Sequence, residues 1–312
     1  MKNILLLLSF LFSSSAFANK IDELKTDKDV ESFLAKLHLQ LTELKVANMY
    51  DLIYADSSDR KIADSLHIKL WQKTDFNNDG QTDLLVYGID IANPFLLAVI
   101  CDKDKYSVKY LTLSYFPPTY FPVIKKDEFG VALLMYQRER SYAPIRINDS
   151  VEAHSLGGRP TSKLSCTKLI YKFDNFIEPN ESPVNHIIRN ITFSTDGCFG
   201  TCPVYTLSIN SNREAIYQPK MYCSDTGTFY AIIDTTSYNL TIALLNSTNF
   251  PVLLDKYSVE WTDDDTCYLT ISYDNDKEKK IEDYGKQGTC GLAALYAELS
   301  KLRKTQKWKK NK

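Results

Sequence analysis

The stretch that decides the fold of the C-terminal half is HIIRNITFSTDGCFGTCPVYTLSIN, residues 186–210. Its two ends, HIIRNITFS and PVYTLSIN, are rich in Ile, Val, Tyr and Thr, the residue types that favour β-strands. Between them lie Cys198 and Cys202, separated by three residues with a central glycine. Because such a turn brings the two Cα atoms within bridging distance, the sequence predicts that the pair closes a small loop as a disulfide.

Two other uses of this cysteine pair stay open. Thiol redox chemistry is one, although the spacing is one residue longer than in the thioredoxin-type pair. Copper binding is the other, because CxxxCP resembles the metal motif of Sco-type copper chaperones, which add a histidine later in the chain. The last histidine of this chain, His186, precedes both cysteines.

The rest of the C-terminal half shows strands followed by a helix, twice. The strand-like runs are EAIYQ, GTFYAII, YSVEWT, CYLTISYD and KKIEDYG. Two segments predict helices, TSYNLTIALLN at 236–246 and GLAALYAELSKLRK at 291–304, and the second carries one apolar stripe. The members of the stripe are Leu292, Leu295, Tyr296, Leu299 and Leu302. This order predicts an α+β domain over residues 186–305, with both helices on one face of the sheet.

The CFGTCPVY segment, the preceding IRNITFSTDG and the later DYG and terminal helix together resemble a widespread bacterial domain family of unknown function. Its hallmark is a Cys-Phe-Gly-Thr-Cys-Pro turn that enters a strand, and the domain often follows a signal peptide. The resemblance covers roughly residues 186–305 and implies no activity, substrate or catalytic residue. Seven cysteines are present, and an odd count leaves at least one thiol unpaired in an oxidising compartment unless two chains are bridged.

The N-terminal half predicts a helix followed by a β-meander. TDKDVESFLAKLHLQLTELKV, residues 26–46, has apolar residues at helical spacing through Leu44, with Thr26 or Asp27 placed to cap the first turn. Short strand-like runs between residues 66 and 173 are separated by polar clusters at hairpin distances, which indicates antiparallel strands. We therefore expect a domain over residues 19–177, in a chain that is α+β and mainly β. The polar segment EPNESPVN, residues 178–185, holds two prolines and predicts a linker.

The run TDFNNDGQTDLLVYG, residues 74–88, concentrates side-chain oxygens before an apolar strand. Positions 1, 3, 5, 7 and 9 of a calcium loop would be occupied by Asp75, Asn77, Asp79, Gln81 through its carbonyl, and Asp83. An EF-hand is excluded, because position 12 is valine and a strand rather than a helix follows.

This loop resembles the calcium loops in FG-GAP and VCBS-type β-propellers, where DxNxDGxxDLLV leads into a strand. The resemblance implies a structural Ca²⁺ ion held by the five residues named above. The alternative is a plain hairpin turn through residues 78–80, since Asp-Gly is a favoured turn pair.

The N-terminus predicts export. Lys2 precedes an apolar run of about ten residues, and Ala16-Phe17-Ala18 follows, which is typical of a secretory signal peptide at residues 1–18. A membrane anchor is the alternative, but the run is shorter than the roughly 20 residues needed to span a bilayer. We expect cleavage after Ala18 and a periplasmic or secreted protein.

The net charge of −2 gives no basis for nucleic-acid binding. Only residues 306–312 form a basic tail, for which a solvated terminus is expected. The leading hypothesis is a non-enzymatic envelope or secreted module that binds a protein or a glycan. An exported enzyme, or a thiol-redox or copper-handling protein that uses Cys198 and Cys202, is the alternative.

Overall fold

The computed structural model describes most of the chain after the predicted signal peptide, which lies outside the described residues. The described residues are 19–38, 41–46, 57–90, 93–103, 105–111, 120–128, 130–141, 146–147, 150–151, 159–259 and 261–310. They form four helices and mostly antiparallel sheets, which confirms the predicted α+β, mainly β class. The chain divides into two compact units, residues 1–53 with 69–115, and residues 54–68 with 116–312.

The first unit is one helix and a five-stranded antiparallel sheet, as the meander pattern predicts. Its elements are α1 (Asp27–Leu37), β1 (Lys45–Val46), β2 (Trp71–Thr74), β3 (Asp83–Asp90), β4 (Asn93–Asp102) and β5 (Lys105–Tyr110). The strand order is β1-β3-β4-β5, and β2 also pairs with β3. Strands β2 to β5 therefore follow one another as hairpins.

Helix α1 begins where the sequence predicts and ends earlier. The Thr26 hydroxyl accepts a hydrogen bond from Asp29 N–H, and the Asp29 carboxylate accepts one from Thr26 N–H, which is a capping box. The helix ends at Leu37, so the prediction that it continues through Leu44 is wrong. Leu44 is buried in the same core, where it lies against Gly88 of β3, a position at which a Cβ atom would clash with it.

The second unit contains a four-stranded sheet and a short helix. The elements are α2 (Ser57–Ser65), β6 (Tyr120–Asp127), β7 (Gly130–Ser141), β8 (Arg146–Ile147), β9 (Ser150–Val151), β10 (Arg159–Lys172) and β11 (Asn175–Ile177). The sheet order is β11-β10-β7-β6, and β8 pairs with β9. A buried ion pair holds α2 to this sheet, with Arg138 Nη1 2.8 Å from Asp59 Oδ1.

The same unit contains an eight-stranded sheet. Its elements are β12 (Ile188–Thr195), β13 (Val204–Asn210), β14 (Glu214–Met221), β15 (Phe229–Ile232), α3 (Thr235–Ser247), β16 (Lys256–Ser258), β17 (Thr266–Tyr273), β18 (Lys277–Tyr284), α4 (Cys290–Thr305) and β19 (Lys309–Lys310). The order is β16-β18-β17-β12-β13-β14-β15-β19, with β16 parallel to β18. Side chains from both helices join one sheet face in a single buried core, as predicted.

The segment predicted as a linker belongs to this second unit, and the division between the two units falls elsewhere in the chain. Glu178, directly after β11, accepts hydrogen bonds from the N–H groups of Cys290 (2.8 Å) and Gly291 (2.9 Å). The carboxylate therefore lies at the N-terminus of α4, where the helix dipole favours a negative charge.

Within the described residues, the basic tail leaves α4 and forms the short strand β19, with its lysine side chains exposed and Trp308 half-buried. Trp308 donates its indole N–H to the carbonyl of Leu302, and its ring lies 5.5 Å from that of Tyr217. This contact brings β19 to the edge of the sheet, where it pairs with β15. None of the helices in the described part of the chain combines the length and hydrophobicity needed to cross a bilayer.

We predict that Arg138→Met lowers the free energy of unfolding of the second unit by about 3–5 kcal/mol, because the Asp59 carboxylate would stay buried without its guanidinium. Urea denaturation followed by circular dichroism measures the change. The control is Lys256→Met, which breaks the exposed pair with Glu282 and should cost less than about 1 kcal/mol. Equal losses in the two variants would contradict this account.

Candidate functional site

The predicted calcium loop connects β2 to β3, and its carboxylates bind the loop's own backbone. The Asp75 carboxylate accepts hydrogen bonds from the N–H groups of Asp79 (3.2 Å) and Gly80 (2.9 Å). Asp79 Oδ1 in turn accepts one from Gln81 N–H at 2.8 Å. Gly80 has a φ of +85°, a conformation that glycine adopts without strain. The loop is thus folded around its acidic side chains.

Asp83 links this loop to the sheet through hydrogen bonds. Its side chain is fully buried, and its two oxygens accept hydrogen bonds from Phe76 N–H (2.7 Å) and Cys101 N–H (2.8 Å). Burial raises the pKa of Asp83 from 3.8 to about 6, the two N–H groups oppose the rise, and the charges of Asp75 and Asp79 add to it. A nearby cation would relieve this accumulation of negative charge.

The five predicted ligands offer only oxygen atoms, which suits a hard cation such as Ca²⁺. Thr74 lies directly opposite Asp83 in the β2–β3 pair, and its buried hydroxyl has no hydrogen-bond partner in the described structure. An unpaired buried oxygen beside a buried carboxylate fits a bound cation or its water. Within the described residues, however, no three Asp, Glu, His or Cys side chains converge as a preformed metal centre. A cation would have to draw the side chains together.

The predicted disulfide is present. Cys198 and Cys202 are bonded, with their Cα atoms 5.7 Å apart, and they close the turn between β12 and β13. Phe199 at the tip of this turn is 89% exposed, and its N–H donates to the carbonyl of Asp263 at 3.0 Å. The disulfide therefore holds an aromatic ring in solvent, which the sequence does not predict.

The other five cysteines form no disulfide in the structure, and they differ in exposure. Cys101 and Cys267 are buried, Cys223 is half-buried, and Cys166 and Cys290 are exposed.

The copper hypothesis requires a histidine near the disulfide, and the structure places His186 far from it. His186 Nδ1 lies 2.9 Å from Asp274 Oδ2, beside the end of β12 at which Ile188 pairs with Tyr273. The cysteine turn follows the opposite end of the same strand. At about 3.4 Å per residue, the two ends of this eight-residue strand lie roughly 24 Å apart.

The DYG segment included in the family resemblance has a structural role. Asp283 is buried, and it accepts hydrogen bonds from the N–H groups of Gln287 and Gly288. Burial raises the pKa of this carboxyl group. A Cβ atom at Gly288 would lie 2.6 Å from the carboxylate, so the turn into α4 requires glycine here.

The face of the eight-stranded sheet opposite the helices carries half-buried and exposed side chains. Along β12, β13 and β17 the outward positions are small and hydroxyl-bearing: Thr192, Ser194, Thr206, Ser208, Thr270 and Ser272. Thr192 pairs with Ser208 on one side and with Thr270 on the other. Exposed Tyr268 lies opposite Ser194 at one margin of this hydroxyl surface. Beyond the other margin, exposed Ile216 of β14 lies opposite Ser208, and exposed Tyr230 of β15 lies opposite Ile216.

The hydroxyl surface was missed by sequence reasoning, although the period-two alternation of β12, β13 and β17 could have revealed it. What the sequence lacks is the strand order that places these three strands side by side.

The fold and these contacts allow a comparison with known proteins. Residues 189–303 match the family model described as "Domain of unknown function (DUF6438)". The match covers the eight-stranded sheet through β18 and most of α4, and it does not reach the loop at residues 74–88. No curated protein and no solved structure matches the chain. The family match therefore supports a C-terminal domain at these residues, and none of the comparisons assigns an activity to it.

We predict that the Asp83 carboxyl group titrates with a pKa of about 6 in calcium-free buffer. Because the pKa of Asp83 is higher in the folded state, the protonated carboxyl group adds to the free energy of unfolding. This contribution is full below pH 3.8, the ordinary pKa value, and is lost as the pH rises through 6. The difference is worth roughly 3 kcal/mol. Carboxyl carbon chemical shifts measured by NMR follow this titration directly.

The variant Asp79→Asn removes one neighbouring negative charge, so it should lower the pKa of Asp83. The control is Asp64→Asn on α2, in the other unit, which should leave this pKa unchanged. An Asp83 pKa near 4 in the wild-type protein, or no response to Asp79→Asn, would refute the described electrostatics.

Proposed function

We propose that the protein is an exported, non-enzymatic binding module, and that the hydroxyl surface of the eight-stranded sheet binds a neutral glycan chain. The observation that carries this proposal is the array of side-chain hydroxyl groups on three adjacent strands, with exposed Tyr268 at one margin and exposed Tyr230 two strands beyond the other. Two kinds of partner, a protein or a glycan, are predicted from the sequence, and the hydroxyl array favours the glycan.

The chemistry of the hydroxyl surface matches that of a sugar. Thr192 Oγ1 lies 3.3 Å from Ser208 Oγ, and it also accepts a hydrogen bond from Asn190 Nδ2 at 3.1 Å. Such groups donate and accept, as sugar hydroxyls do. The tyrosine rings offer an apolar body with a polar tip for the faces of sugar rings.

Other partners fit this surface less well. Nucleic acid requires basic residues, whereas the charged side chains next to the hydroxyl array include both signs, Lys280 and Glu282 on β18 and Glu214 on β14. A stable protein interface has a more apolar centre than a field of Ser and Thr. Tyr268 and Tyr230 are four strand spacings apart, roughly 19 Å, so the face between them suits a chain of several sugar units.

Two observations support export. The N-terminal sequence is typical of a signal peptide, and the Cys198–Cys202 disulfide is of the kind that persists in oxidising compartments. The proposal also includes a structural Ca²⁺ ion, bound by the predicted calcium loop, which stabilises the first unit. Asp75, Asn77, Asp79, Asp83 and the carbonyl of Gln81 would hold the ion, and its charge would offset the repulsion among the three aspartates.

We predict that the mature chain sediments with at least one insoluble polysaccharide among peptidoglycan, chitin and cellulose. Tyr268→Ala should weaken binding by about tenfold, since it removes an exposed ring worth roughly 1–2 kcal/mol. Tyr268→Phe keeps the ring and should retain most of the affinity. Val252→Ser, at an exposed apolar residue after α3, is the control for surface change.

Failure to sediment with all three polysaccharides would overturn the glycan proposal. So would binding that Tyr268→Ala leaves at the wild-type level.

For the calcium loop, we predict that Ca²⁺ raises the melting temperature of chelator-treated protein, because a ligand of the folded state stabilises it by about 2.7 kcal/mol at a hundredfold excess over Kd. Asp75→Ala and Asp79→Ala should each abolish the gain, and Asp64→Ala should keep it. If millimolar Ca²⁺ causes no shift in the wild-type protein, the loop is a plain hairpin connection.

A further inference from the structure

One end of the eight-stranded sheet carries two oppositely charged regions. The strand registers place the ends of β12, β13, β14 and β17 together there, since Thr195 pairs with Tyr205 and Cys267, and Val204 pairs with Met221. The β12–β13, β14–β15 and β16–β17 connections all leave the sheet at this end, and Lys310 of β19 pairs with Phe229 beside them. We call this surface the sheet end.

The acidic half of the sheet end consists of the β12–β13 connection, which carries Phe199, and the β16–β17 connection. Asp263 holds the backbone of Phe199, and exposed Asp196 precedes the same disulfide turn. Asp265 is neutralised by Lys286, whose Nζ lies 2.7 Å away. In the described part of the chain no lysine or arginine forms an ion pair with exposed Asp196 or Asp263. The Asp264 carboxylate accepts a hydrogen bond from the indole N–H of Trp261 at 2.6 Å, and its charge also acts on Lys286. Phe199, the most exposed large apolar side chain of the described structure, therefore lies on a connection whose backbone is bonded to the acidic one.

The basic half begins at the strand next to β13 and comprises the ends of β14, β15 and β19. Lys220, Lys309 and Lys310 are exposed, and the described residues place none of them in an ion pair; one acidic residue, Asp225, lies on the β14–β15 connection. The Lys310 stem covers Gly227, where a Cβ atom would lie 2.8 Å from Lys310 Cε. Two apolar side chains are exposed in this half, Tyr222 at 54% and Met221 at 50%.

We infer that two copies of this chain associate through the sheet end about a two-fold axis. Such an axis brings the acidic half of each copy onto the basic half of the other, because a two-fold interface uses one surface patch twice. Phe199 of each copy then packs against the Met221 and Tyr222 positions of the second copy. A purely basic or purely acidic partner would satisfy only one half, so the second copy is the occupant that the charges favour.

The fixed geometry of the tip supports this role. Cys198–Cys202 closes the turn, and the Phe199 N–H to Asp263 carbonyl bond ties it to the neighbouring connection, so the ring is held before association. A preorganised aromatic residue loses little conformational entropy on binding, which is why such residues serve as interface anchors. The sheet end adjoins the hydroxyl surface at Ser194 and Tyr268, but the inference does not depend on glycan binding.

The test is sedimentation equilibrium of the mature chain over a range of protein concentrations, at low and at high salt. We expect a monomer–dimer equilibrium that weakens with salt, because exposed charge pairs are screened. Phe199→Ser should raise the dimer Kd by about tenfold or more, which corresponds to about 1.4 kcal/mol. Because Phe199 is almost fully exposed, this variant keeps the fold. The matched control is Val252→Ser, which removes a 73% exposed side chain elsewhere and should leave Kd unchanged.

Charge reversal tests the two-fold arrangement itself. Asp263→Lys alone, and Lys309→Glu with Lys310→Glu, should each weaken the dimer. The triple variant should restore it, because both halves are then exchanged in each copy. A monomer at every concentration, an equal Kd for Phe199→Ser and Val252→Ser, or no rescue in the triple variant would overturn the inference. Growth beyond dimers would show head-to-tail chains and would also overturn it.

Discussion

The packing of α4 against one face of the eight-stranded sheet is the interaction on which the rest of the second unit depends. Its apolar stripe, centred on Leu295 and Leu299, is fully buried against Phe193 and Leu207 of the central strands. Each such side chain contributes about 1.5–3 kcal/mol by burial. Because side chains alternate between the faces of a strand, fixing this face inward forces every second residue outward. The hydroxyl surface is the direct consequence.

The N-terminus of α4 is also held in place, by hydrogen bonds to two carboxylates. Glu178 binds the first free N–H groups of the helix, and Asp283 shapes the turn that precedes it. The first contact ties the four-stranded sheet to the helix, and the second ties β18 to it. One helix N-terminus thus joins both sheets of the second unit, which explains why residues 178–185 lie within one compact unit although their composition is that of a linker.

The fold class, the strand runs, both C-terminal helices and the disulfide could be predicted, because alternation, apolar stripes and cysteine spacing are local signals. The end of α1 could not, since Leu44 keeps the helical spacing but enters the core from a turn beside Gly88. Likewise, the sequence shows the oxygen atoms around Asp83 but not that both oxygens of this carboxylate bind backbone N–H groups. Nor does it show that Phe199 lies in solvent, because phenylalanine side chains are usually buried.

The measurement that tests the central claim most directly is NMR chemical-shift mapping of the mature chain with soluble oligosaccharides cut from peptidoglycan, chitin and cellulose. We expect one of them to shift the amide and methyl signals of Thr192, Thr206 and Thr270, which are outward on three adjacent strands. The methyl signals of Leu207, on the opposite face, should stay in place. Shifts confined to other parts of the molecule, or no shift with any of the three, would contradict the assignment of the hydroxyl surface as the site of glycan binding.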